Sequence, residues 1–113
     1  METTNYLLVM TTCPSREVAE RLANQVLGQH LVACVNMLPA MQSWYFYEEE
    51  LMQDQEILML MKTREDCYPH LQALLLQLHP YEEPEIIALP IQTGSPTYFA
   101  WMDNMLINKP KSE

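Results

Sequence analysis

The side chains best suited to chemistry crowd into one stretch, "LHPYEEPE" at 78 to 85. A neutral imidazole at His79 suits Cu(II) or Zn(II), and Glu82, Glu83 or Glu85 could complete its shell with oxygen donors. The same residues admit a structural reading. An imidazole near the last carbonyls of a helix is favourable, and Pro80 and Pro84 would then end that helix and launch a strand. Cys13, beside Pro14 at a strand-to-helix turn, is expected in the field of a helix N-terminus, which lowers a thiol pKa and favours soft metals. Cys34, between apolar residues, reads as a small core side chain. Cys67 and His70 have i, i+3 spacing at a helix start, a geometry that can take up metal and is also that of an ordinary helix surface. Lys62, Tyr81 and Glu85 would be the groups of an enzyme. With just 2 glycines there is no phosphate loop, and G-x-S-x-G and H-E-x-x-H are missing, so neither an enzyme nor an organic cofactor is expected.

The length of 113 residues bounds the chain to one domain, 1–113, with an ordered core over about 5–107 and a loose tail over 108–113. Apolar residues make up 49% and charged residues 19%, the balance of a globular chain. Against 15 Asp+Glu stand 6 Lys+Arg, and the net charge of -9 would repel phosphate backbones and anionic membranes, so nucleic acid and membrane are poor partners. Three cysteines at wide spacing suggest neither a disulfide framework nor a zinc knuckle, and reduced thiols fit a cytoplasmic location. The first residues carry Glu2 where a signal peptide needs basic residues, and no apolar stretch has the length of a bilayer span.

The elements that must position these groups follow from periodicity. "YLLVMTT" (6–12) is a short buried strand. From Ser15 onward Val18, Ala19, Leu22, Ala23, Val26 and Leu27 share one helical face, closed at Gly28. Strand character resumes on both sides of Pro39 in 31–47, where Trp44 and Phe46 alternate with Ser43, Tyr45 and Tyr47. "YEEELMQDQE" is expected as the turn and "EILMLMKTR" (56–64) as the returning strand of one long hairpin. Asp66 and Pro69 open a second helix bearing Leu71, Leu74, Leu75 and Leu78, which Pro80 stops. "PEIIALPI" (84–91) is a fourth strand. Ser95 and Pro96 start a closing helix with Tyr98, Trp101, Met102 and Met105 on one face. The fold class is therefore α+β, a ferredoxin-like βαββαβ sandwich with an antiparallel sheet, a long β2–β3 hairpin and an extra C-terminal helix. The strands are apolar on both faces, more than one helical layer can cover, which predicts an oligomer. The nine methionines fall within strands and helix faces and serve as core filler.

"LVACVN", "SWYFYEEEL", "ILMLMKT", "HPYEEPEIIALPI" and "YFAWM", in this order from about Tyr6 to Leu106, resemble the CutA family of divalent cation tolerance proteins. The resemblance implies a ferredoxin-like subunit in a tight homotrimer whose hairpin arms reach across neighbours, with a likeness to PII-type signalling trimers. It also implies tolerance of copper and other divalent metals, with copper, or in second place zinc, as the bound ion. Three positions depart from the pattern. Thr11 stands where some members carry a cysteine, with Cys13 two residues later. Leu78 stands in place of the first of two histidines, so His79 alone carries over. Glu49 follows Tyr47 and Glu48 where a glycine is usual. The resemblance carries over His79 alone, and Cys13 and Glu82 are the neighbours expected to complete a metal set with it. Asn36, Ser43, Tyr45, Glu48, Lys62, Tyr81, Glu85 and Trp101 lie within the matching motifs. They could line an inter-subunit cleft for an anion, small molecule or protein partner, or serve as interface hydrogen bonds. Lys62 could pair with a carboxylate such as Glu48 or Glu85, across strands or across a subunit boundary. Glu48, Glu49 and Glu50 at the hairpin tip read as a solvated turn that discourages edge pairing.

Overall fold

A computed structural model describes residues 4–107. The tail expected over 108–113 lies outside the described residues. The elements run β1 (Tyr6–Cys13), α1 (Arg16–Gly28), β2 (Cys34–Tyr47), β3 (Glu50–Arg64), α2 (Tyr68–Leu78), β4 (Ile86–Pro90) and α3 (Pro96–Met105). The sheet order is β2-β3-β1-β4 with every neighbouring pair antiparallel, the ferredoxin-like α+β arrangement read from the sequence.

Ser15 caps α1, its hydroxyl accepting the Val18 N–H at 3.2 Å, and the face Ala19, Leu22, Ala23 and Val26 is buried. In α2, Leu71 and Leu75 are fully buried, and the His79 N–H closes the helix on the Leu75 carbonyl at 2.9 Å. Both helices pack on Val9, Cys13, Ile57, Met59 and Met61, which share one side of the sheet through their register. On the other side lie Leu8, Met10, Leu38, Leu58, Leu60, Ile87 and Leu89. Leu38, Ile87 and Leu89 there remain 45 to 47% exposed. The second apolar face read from the strands is therefore present and open in the single subunit.

The hairpin turn is shorter than expected. β3 begins at Glu50, and only Glu48 and Glu49 turn the chain, with φ of 49° and 68°. The polar stretch 50–55 reads as loop, yet it pairs residue by residue with the aromatic arm of β2, whose strand preference decides the outcome. A bulge between Leu38 and Met41 places Ala40 at φ 59°. The extra residue shifts the alternation by one, so that Ser43, Tyr45 and Tyr47 share the helix-free face with Glu56.

In α3 Met102 is the one member of the expected stripe that is buried. Met102 and Leu106 are buried with Cys67 and Ala33, and Phe99 stacks on Tyr6 at 4.1 Å, whereas Tyr98, Trp101 and Met105 stand about 40% exposed. The cause is a clamp at the far end of the sheet. Arg64 holds Asp66 and Asp103 and donates to the Ile107 carbonyl at 2.8 Å, and the Ile107 N–H reaches the His30 carbonyl at 2.8 Å. Gly94 permits the approach, since a Cβ there would meet the Phe99 ring at 2.6 Å.

Candidate functional site

His79 leaves α2 with its ring turned inward, 7% exposed. The Tyr81 N–H donates to Nδ1 at 3.1 Å, so Nδ1 carries the lone pair, and Nε2–H donates to the Thr12 carbonyl at 2.8 Å. Both ring nitrogens are thus committed to backbone. The imidazole ties the α2–β4 turn to the end of β1 and has no lone pair left for a metal in this arrangement.

Cys13 departs from the expected reactive thiol. It is fully buried on the helix side of the sheet, with its Sγ 3.3 Å from the Met59 sulfur. Burial, with a smaller push from the Glu56 carboxylate, drives its pKa up to about 11 instead of down. The helix N-terminus is outweighed because the sulfur lies in the core. Glu82 is exposed at the rim of a cleft. Among the described residues no group of three His, Cys, Asp or Glu side chains is placed to hold a metal ion. The set His79, Cys13 and Glu82 does not fit a metal within one subunit.

The residues around His79 instead wall a cavity of about 1000 Å³ between the hairpin arm and the 80–85 turn. Thr12 and Glu56 form its inner end and are themselves buried. The Tyr81 hydroxyl donates to the Glu56 carboxylate at 2.8 Å, and burial together with that bond pushes the Tyr81 phenol well up. Ser43, Trp44, Tyr45 and Tyr47 line the arm side, and Glu82, Glu83 and Glu85 the rim. The Tyr45 hydroxyl donates to Asp54, a bond that raises the phenol's pKa.

Four of the residues expected in a cleft come together here: Ser43, Tyr45, Tyr81 and Glu85. The others do not. Lys62 donates to Asn36 on the neighbouring strand and forms no ion pair among the described residues, so within one subunit a cross-strand amide takes the place of Glu48 or Glu85. Glu48 is at the hairpin tip and Trp101 packs on Tyr98 at 5.5 Å on α3. Cys67 is buried beside Arg64, and His70 lines a separate cavity of about 330 Å³. Cys34 is half-buried, 3.7 Å from the Tyr98 hydroxyl. Sequence reasoning missed Glu56. Its signal was a lone acid heading the apolar run "ILMLM", two residues after Asp54 on the same strand face.

Comparison with known proteins agrees with this fold. The family model described as CutA1 divalent ion tolerance protein matches residues 7–105. The divalent-cation tolerance protein CutA of Thermus thermophilus is 42% identical over 95 residues, covering 84% of this chain and 92% of that protein. The crystal structure of CutA1 from Shewanella sp. SIB1 superposes with a TM-score of 0.90 at 34% identity, covering 95% of this chain and 100% of that one. A CutA from Archaeoglobus fulgidus, described as periplasmic, has a TM-score of 0.86 at 32% identity, over 88% of this chain and 97% of that one. Among the described residues no helix is long and apolar enough to cross a membrane.

Proposed function

Because this chain belongs to the CutA1 divalent ion tolerance protein family, we propose that it acts in the response to metal ions as a cytoplasmic homotrimer, binding a small ligand in its cleft in the manner of a PII-like signalling protein. One observation carries this reading. His79, the single inherited ligand candidate, is spent on two backbone groups, and that lock builds the wall of a cavity of about 1000 Å³, the upper end of the ligand-pocket range. The trimer is supported by the open apolar face of the sheet, whose Leu38, Ile87 and Leu89 would otherwise form a sticky patch. In this reading the protein is a binding protein and not an enzyme.

Direct capture of copper, or in second place zinc, is the rival reading. Glu82, Glu83 and Glu85 favour it, because rim carboxylates of neighbouring copies could together supply oxygen donors that one subunit lacks. Two measurements on the full chain test the proposal: mass by light scattering at micromolar concentration, and a thermal-shift screen of small metabolites on wild type and Tyr81→Phe. A trimeric mass and a ligand whose shift depends on Tyr81 support it. A monomeric mass, or no such ligand, removes it.

A further inference from the structure

We propose that the cleft is completed by a second copy of this chain, with Lys62 of the partner subunit set against the Glu56 carboxylate at the inner end. This rests on the trimer reading above and goes beyond it, because it makes the cleft a site that two subunits share.

Glu56 is 8% exposed and accepts a hydrogen bond from the neutral Tyr81 hydroxyl. A phenol solvates a carboxylate oxygen but cannot offset its charge, and a buried carboxylate without a cation is costly. Among the described residues the ion pairs use Arg16 and Arg64, and none of them involves Glu56. The far end of β3 holds the converse case. Lys62 is half-buried, its ammonium group donates to the neutral Asn36 amide, and no ion pair among the described residues includes it. The carboxylates Glu48, Glu82, Glu83 and Glu85 are weaker claimants on that lysine, since they are exposed, water already solvates them, and an exposed ion pair gains little.

Glu56 and Lys62 cannot meet within one subunit. The strand between them runs for about 20 Å at the usual rise per residue, well beyond the reach of a lysine side chain. Their even spacing nevertheless puts both on the helix-free face. Between them lie Leu58 and Leu60, level with Leu38 of β2 and with Met10 and Ile87 of β1 and β4. The face is therefore an apolar band with a buried acid at one end and a base at the other. Such a face complements itself head to tail: the base end of one copy fits the acid end of the next, and the apolar bands are covered by the same contact. That contact is heterologous, the kind that closes a ring of three, so each copy gives its Lys62 to one neighbour and its Glu56 to the other.

Disulfide trapping in the full-length chain tests the contact. The background is Cys34→Ser, because Cys34 lies opposite Lys62 on β2, while Cys13 and Cys67 are buried. Glu56→Cys combined with Lys62→Cys should give covalent dimers and trimers on a denaturing gel after oxidation, absent from either change alone, since the two positions are too far apart to bridge within one chain. Because a change at buried Glu56 could disturb folding, Lys62→Glu carries the test as well. It leaves Glu56 in place, sets like charges face to face, and should weaken assembly about tenfold or more in mass measured by light scattering across a dilution series. If wild type is trimeric and the double-cysteine chain gives no copy-to-copy species, or Lys62→Glu assembles as tightly as wild type, the pairing falls and the trimer reading stands. A monomeric wild type removes both.

Discussion

Replacing His79 by alanine should unfold the junction between α2, β1 and β4 without touching a metal site. The ring makes two hydrogen bonds, and its loss leaves the Thr12 carbonyl, within a residue 7% exposed, and the Tyr81 N–H without their partners. An orphaned buried backbone group costs about 1–3 kcal/mol, and a partly buried one about 1 kcal/mol. With the void left by the ring, a loss of about 3 kcal/mol is expected. His79→Asn should fall between the two, since its side-chain oxygen can still accept the Tyr81 N–H two residues on, as in an Asx turn, but cannot reach Thr12. Urea unfolding followed by tryptophan fluorescence measures this, at one fixed protomer concentration because oligomer stability depends on it. If His79→Ala proves as stable as wild type to within about 0.5 kcal/mol, the lock described here does not hold the turn, and the imidazole must be free for another role.

Glu49 holds a left-handed backbone at φ 68°, so Glu49→Gly should stabilise the subunit by about 1 kcal/mol in the same unfolding assay. Thr11→Val should also stabilise, by about 1 kcal/mol, because the Thr11 hydroxyl is fully buried without a hydrogen-bond partner among the described residues. Cys13 ionises at higher pH folded than unfolded, so the folded state holds more protons between about 9.0 and about 11. Stability should therefore fall as pH rises through that window, in a component absent from Cys13→Ser, and alkylation of Cys13 in the folded protein should be slow at pH 8. Tyr81→Phe, which strips Glu56 of its hydroxyl donor, should lower the unfolding free energy by about 1–2 kcal/mol.

The fold was legible wherever period and punctuation agreed. Ser15, Pro69 and Pro96 marked helix starts that the structure keeps, and the apolar runs at 6–12 and 57–61 became the two central strands. The hairpin tip was misread because a two-residue turn usually advertises itself with Asn or Gly, whereas here Glu48 and Glu49 carry the positive φ. Register was out of reach for a related reason. Nothing local announces that Ala40 is an extra residue, yet that residue decides that Tyr45 and Tyr47 join Glu56 on one face. The buried side of α3 depends on Arg64 and His30, distant in sequence, and so periodicity alone picked out Met102 but not Leu106 beside it. At the site, residue types drew attention to His79 and Cys13, while burial and hydrogen bonding turn both into structural groups.

Within one subunit His79 and Cys13 are parts of the framework and not of a chelate. Calorimetric titration of Cu(II) into wild type, His79→Ala and Cys13→Ser, each under conditions where it is folded, tests this most directly. The same isotherm is predicted for all three proteins. A micromolar or tighter site in wild type that vanishes in either variant would contradict the account.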